Sequence, residues 1–119
     1  MKRFIATEIW SKVWFRKLTP TQKAFWFYLF TTCDCAGVWD EDFGLASFAI
    51  GGDVTEQDMS VYGDRVEKLP DGKWRLVTFI QYQYTKLKST STVLTGVNKR
   101  LAQHGLPLVK GYDKGMDTL

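Results

Sequence analysis

The sequence predicts an α+β domain of the winged helix-turn-helix kind, in which short helices precede one β-hairpin and a last helix follows it. Three observations carry that expectation. In Asp64–Tyr84, DRVEKLPDGKWRLVTFIQYQY, a short β-rich run (Val66–Leu69) meets the turn Pro70-Asp71-Gly72-Lys73, and a longer run (Trp74–Ile80) follows. Proline presets φ at the first turn position, and Asp-Gly supplies the positive φ that a tight hairpin needs. The segments before the hairpin carry apolar residues at helical spacing. Two short helical segments joined by glycines stand directly ahead of it, the order of a helix-turn-helix and its wing.

The elements follow in order. Ile9, Trp10, Val13, Trp14 and Leu18 recur at helical spacing, which predicts an amphipathic helix over Glu8–Leu18. Lys12, Arg16 and Lys17 lie on or near its polar side. Thr19-Pro20-Thr21-Gln22 is a helix start with a cap, a proline at the first helical position and a capping box. The helix it opens, Pro20–Cys33, is apolar nearly all round through AFWFYLF, so it belongs at the centre of a core.

Gly37-Val38-Trp39 is expected as a short strand that pairs with the hairpin. Asp42 caps a helix over Phe43–Ile50, expected to bury Leu45, Phe48 and Ala49 and to stop at Gly51-Gly52. Thr55 caps a further helix that runs to Tyr62 and closes at Gly63. Gln81–Tyr84 is expected to continue extended, and Lys86–Thr90 to form a loop. Val93, Leu94, Val97 and Leu101 predict a final helix with its C-cap at Gly105. One domain over residues 1–106 is expected, with a flexible tail or linker over residues 107–119.

A chain of 119 residues, 45% apolar and 15% aromatic, is long enough for one core and too apolar for disorder. Its longest strongly apolar run, Ala24–Phe30, is too short to span a bilayer, so no membrane partner is expected. The start MKRFIATEIW has no apolar export segment, and a cytoplasmic location is expected. Cys33 and Cys35 stand one residue apart beside a single histidine, His104, and read as reduced thiols without a metal. No cofactor is expected.

Charge divides the chain into three. Residues 1–23 hold six bases and one acid, residues 24–64 hold eight acids and no base, and residues 65–119 hold ten bases and four acids. The second helix of the pair therefore presents Glu56, Gln57 and Asp58 where a DNA-reading helix would offer cations. Those three residues suit solvent or a protein partner better than phosphates. The wing is basic instead. Arg65, Lys68, Lys73 and Arg75 lie on or beside the hairpin, Lys86 and Lys88 follow it, and Lys99 and Arg100 on the last helix extend the surface. These eight residues are the candidate DNA contacts, through sequence-independent and salt-sensitive phosphate bonds. The plain alternative is edge protection by solvated charge. Lys12, Arg16 and Lys17 form a candidate second basic surface. Trp74, Tyr82 and Tyr84 are the aromatics best placed beside cations for base stacking. An enzyme is not expected: no Gly-rich phosphate loop and no nucleophile with a recognisable base is present, and Asp34, Asp40, Glu41 and Asp42 read as caps.

Several blocks carry a family resemblance. TEIWSKVWFRKL, TPTQKAFWFYLFTTCDCAGVWD, the ASFAIG segment, GDRVEKLPDGKWRLVTFIQYQYTKL and NKRLAQHGL together resemble phage and prophage replication proteins. The likeness is to the N-terminal winged-helix domain of replisome-organiser or DnaD-like initiators, and it spans roughly residues 3–106, with a departure at Lys88–Thr92. It implies a DNA-binding module of DNA replication initiation. The partners it implies are DNA, a replicative helicase or helicase loader, and a possible homo-oligomer. It also implies relatives that continue beyond the segment matching GMDTL. Two other readings stay open: a protein–protein module that oligomerises or docks a loader through its acidic middle, and a winged-helix transcription regulator.

Overall fold

A computed structural model describes residues 2–84 and 91–110. The axis of the fold is α2, Pro20–Thr32. Its start is the reciprocal cap expected from sequence: Thr19 Oγ1 accepts from the Gln22 N–H at 3.1 Å, and Gln22 Oε1 accepts from the Thr19 N–H at 3.0 Å. Such a cap stabilises a helix by about 1 kcal/mol. The helix buries Phe25, Trp26, Leu29 and Phe30 and half-buries Phe27 and Tyr28, so aromatic rings meet it on several sides. Trp14 and Tyr62 lie against Trp26 at 5.2 and 5.1 Å, and Trp39 and Phe43 lie against Phe25 at 5.9 and 6.1 Å.

The single helix expected over Glu8–Leu18 is two pieces. A 3-10 turn covers Thr7–Ser11 and α1 covers Val13–Arg16, with Lys12 extended between them at ψ 130°. Ser11 Oγ donates to the Glu8 carbonyl at 2.8 Å, and the Lys12 N–H turns to Ile9 instead. The side chain thus takes the acceptor that a continuing α-helix would have used. The break lets Phe15 enter the core fully while Trp10 and Val13 are each 62% exposed.

Three strands form an antiparallel sheet in the order β1-β3-β2: β1 is Val38–Asp40, β2 is Val66–Leu69 and β3 is Lys73–Leu76. Trp39 pairs with Trp74, and Val66 pairs with Leu76. The hairpin turn holds Asp71 at φ 63° and Gly72 at φ 68°, so the expected Asp-Gly chemistry is the one used. β3 is shorter than expected. The run read as a strand to Ile80, with Gln81–Tyr84 extended beyond it, turns at Val77-Thr78 and becomes a short helix, α4, Phe79–Gln83. Its neighbours set that limit: the last ladder bonds go from Leu76 N–H to Gly37 O and from Val77 N–H to Arg65 O. Both flanking strands begin there, and beyond it an extended chain would leave its backbone unpaired. Phe79 instead turns inward onto Phe30, with ring centroids 5.3 Å apart.

Between β1 and β2 run α3, Phe43–Ile50, and a 3-10 segment, Glu56–Arg65, that kinks at Gly63. Asp42 caps α3 as expected, accepting from Leu45 N–H at 2.9 Å, and Gly51 ends it at φ 77°. The buried face is a correction. Leu45 and Phe48 are 55% and 85% exposed and Ala49 is exposed, whereas Ala46 is buried and Phe43 and Ile50 are half-buried. Both faces of this helix are apolar, and the one carrying the Phe43 ring docks against Phe25 and Trp39. The 3-10 segment is entered through a capping box in which Asp58 Oδ2 accepts the Thr55 N–H at 2.8 Å.

The last helix, α5, spans Thr92–Gln103 and closes through Leu106 N–H to Leu101 O at 2.9 Å, past Gly105 at φ 69°. It buries Leu94, Val97 and Leu101 and leaves Val93 half exposed. Successive strand residues point to opposite faces of a sheet. Trp39 joins the main core, and Val38 meets Val97 and Leu101 on the other side. Asp34 fastens this second layer, its Oδ2 lying 2.7 Å from His104 Nε2. Asn98 holds the backbone of Val109 by two hydrogen bonds of 2.8 and 3.0 Å. The outcome is a small α+β domain with its sheet between two packed layers. Among the described residues no helix is long and apolar enough to cross a membrane.

Candidate nucleic-acid interface

The wing cations are mostly engaged within the chain. Lys68 pairs with Glu56, its ammonium also 5.7 Å from the Trp74 ring, and that hydrogen bond raises its pKa. Lys73 Nζ lies 2.6 Å from Asp40 Oδ1, across the β1–β3 ladder. Arg65 stacks on Trp14 at 4.2 Å and donates to the Tyr62 carbonyl at 3.4 Å. Arg100 Nε is 3.7 Å from Asp34 Oδ2. Arg75 and Lys99 have no ion pair or hydrogen bond among the described residues, and Arg75 is half-buried. Lys86 and Lys88 lie outside the described residues. Exposed pairs such as Lys68–Glu56 contribute little stability, yet they cancel the local field that phosphates would feel.

The acidic segment is equally committed. Glu56 serves Lys68, and Asp58 serves both Thr55 and Gln22, whose Nε2 donates to Oδ1 at 3.2 Å. Gln57 has an exposed side chain. A kinked 3-10 segment is also a narrower body than the α-helix expected there. Tyr62 is fully buried within it, its hydroxyl donates to the Gln22 carbonyl at 2.8 Å, and burial, with Asp58 nearby, pushes its pKa up.

Besides Arg75 and Lys99, a group of free cations lies near the start of the chain. Lys12, Arg16 and Lys17 are exposed and make no ion pair or hydrogen bond through their side chains among the described residues. Lys17 lines one and Lys12 the other of two hollows that share Trp14 and Arg65, and Arg16 lines neither. One is lined by Val13, Lys17, Leu18, Gln22 and Val61. The other, a cleft of about 290 Å³, includes Ile5, Ile9, Lys12, Phe27 and Tyr82. Its outer wall is held in place: Gln83 clamps the Phe4 backbone with bonds of 2.9 and 2.5 Å, and Arg3 Nη1 donates to the Phe30 carbonyl at 2.9 Å.

Of the three stacking candidates only Tyr82 is exposed, at 54%; Trp74 is buried and Tyr84 half-buried. Trp10, which helical spacing assigned to a buried stripe, is the larger exposed aromatic. Its signal in the sequence was the Ser11-Lys12 step, where a side-chain acceptor competitor sits one residue after it. Cys33 is buried and its thiol is pushed up to about 12. Among the described residues no three His, Cys, Asp or Glu side chains gather into a group able to hold a metal ion. Comparison of the chain with protein-family models, with curated proteins and with solved structures gave no match.

Proposed function

We propose that this chain is a winged-helix DNA-binding module of a phage-type replication initiator, and that it meets DNA through Lys12, Arg16 and Lys17 more than through its wing. The order of helices and hairpin, and the block resemblance to replisome-organiser proteins, support the fold and the replication role. One observation carries the choice of surface. These three lysine and arginine side chains are exposed and unpaired, whereas Lys68, Lys73 and Arg100 already face carboxylates of their own chain. Free cations release counterions from phosphates on binding; paired ones must first give up their partners. Tyr82 stands exposed at the cleft, and Trp10, exposed although its ring also meets Phe15 and Phe27, is the second aromatic that could stack on unpaired bases.

The reading is tested by titrating labelled duplex and single-stranded DNA over a salt series. Reversing Lys12, Arg16 and Lys17 to glutamate lowers affinity at least about tenfold and flattens the salt slope by roughly two to three charges. Lys68→Ala with Lys73→Ala changes affinity by less than about threefold, because those charges are already cancelled. Salt-independent binding, or a larger loss from the wing pair than from the N-terminal triple, overturns it.

A further inference from the structure

Phe48 is 85% exposed in the middle of α3, more than any other large apolar side chain among the described residues. On a helix its neighbours are the residues three and four away. Those are Gly44, Leu45, Gly51 and Gly52, and three of the four have no side chain to cover the ring. The ring stands clear as a knob, with Leu45 beside it at 55% exposure. Asp53 lines the same shallow hollow as Phe48, and Asp42 and Glu41 stand at the start of the helix. Glu41 accepts from Trp74 Nε1 at 2.9 Å and lies in the field of Lys68, whereas Asp42 and Asp53 have no ion pair among the described residues.

The N-terminal cleft has the opposite character. It is a hollow of about 290 Å³ with an apolar lining that includes Ile5, Ile9, Trp14 and Tyr82, and Lys12 and Arg65 bring positive charge to it. An apolar knob among carboxylates and an apolar hole among cations are complementary in shape and in sign.

We propose that α3 of one copy docks into the N-terminal cleft of a second copy, with the Phe48 ring entering the hollow and the flanking carboxylates facing Lys12 and Arg65. The two surfaces are different, so the contact is heterologous: every joined pair keeps one free knob and one free hole, and assembly proceeds head to tail. One short helix on one cleft makes a small interface, so the association is concentration-dependent and weakens with salt. It requires no nucleic acid, and because Lys12 and Tyr82 belong to both surfaces, DNA and a second copy compete for the cleft.

The experiment is sedimentation velocity of the full chain without DNA, over a concentration series at low and high salt. The expected result is an average mass that rises with concentration and falls back at high salt. Phe48→Asp and Ile5→Asp each leave the protein monomeric at the same concentrations, and their far-UV circular dichroism and melting temperature stay those of the parent, since both residues are exposed. Mixing the two variants restores one good junction, the parental knob of Ile5→Asp in the parental hole of Phe48→Asp, and stops at two copies. A parent that is monomeric throughout, an association that survives Phe48→Asp, or a mixture that stays monomeric overturns the proposal.

Discussion

Gln22 Nε2 donates to Asp58 Oδ1 at 3.2 Å, and that bond joins two helix caps lying 36 residues apart in the chain. Gln22 Oε1 meanwhile completes the cap of α2, and Asp58 Oδ2 completes the cap of the 3-10 segment. Each side chain thus spends one atom on its own terminus and one on the other. The Tyr62 hydroxyl, bonded to the Gln22 carbonyl, closes the same junction from within the core. A segment read from its charge as a partner surface is, at Asp58, part of what holds the helices together.

The first prediction concerns that junction. Gln22→Ala and Asp58→Ala each destabilise the domain by about 1–2 kcal/mol, the range for a lost cap and a lost hydrogen bond. The double variant costs less than the two added, by about 0.5–1 kcal/mol, because the shared bond is lost only once. Urea midpoints of the four proteins measure this, and strict additivity would show that the two caps act independently.

Gly37 is the second. Its φ is +81°, and a Cβ there would lie 2.8 Å from Phe79 Cβ and 3.1 Å from the Leu76 carbonyl. Gly37→Ala therefore meets left-handed strain of about 1–2 kcal/mol and a backbone clash at the point where β3 turns into α4. Gly72, at φ +68° in the hairpin turn, has nothing within 4 Å, so Gly72→Ala meets the strain alone. Thermal unfolding should rank Gly37→Ala well below Gly72→Ala; equal losses would mean that Phe79 moves aside freely.

Those two glycines also mark what the sequence could and could not carry. Local chemistry was legible: the Thr19–Gln22 box, the Asp42 cap, the Asp71-Gly72 turn and the close of α5 at Gly105 each depend on a few adjacent residues. The end of β3 was not legible, because Gly37 and Arg65, distant in sequence, decide where its ladder stops. The docking face of α3 was hidden for a different reason. Phe43, Ala46 and Ile50 form one apolar face and Leu45, Phe48 and Ala49 another, and only the position of α2 chooses between them. The wing cations misled similarly, since Lys73 meets Asp40 and Lys68 meets Glu56 only once the sheet has formed.

The thiols give a third prediction. Burial pushes the Cys33 thiol from its ordinary 9.0 up to about 12, against the pull of Arg3, whose Nη1 donates to Sγ at 3.1 Å. The folded pKa lies above the unfolded one, so this contribution is complete below pH 9 and is lost as pH rises towards 12. Stability should fall in that window by up to about 1.4 kcal/mol per pH unit. Tyr62, also raised by burial, adds a second loss above its ordinary 10.0. Cys33→Ala removes the part that begins near pH 9 and keeps the tyrosine part, as urea midpoints from pH 8 to 10.5 will show. In the native protein at pH 8 a thiol reagent should modify half-buried Cys35 well before Cys33.

Asp34 carries the last prediction, because one carboxylate serves two layers. Its Oδ1 accepts from the N–H groups of Ala36 and Val38 at 2.9 and 3.0 Å, which shapes the turn into β1. Its Oδ2 faces His104 Nε2 at 2.7 Å and Arg100 Nε at 3.7 Å, which fastens the end of α5. Asp34→Asn keeps an acceptor for the turn and loses the charge, and should cost about 1 kcal/mol. Asp34→Ala loses both and should cost about 2–3 kcal/mol. His104→Ala leaves the turn intact and frees only α5, so its amides should exchange faster with deuterium while those of α2 keep their protection. A uniform rise in exchange across both helices would mean instead that α5 and the main core open as one unit.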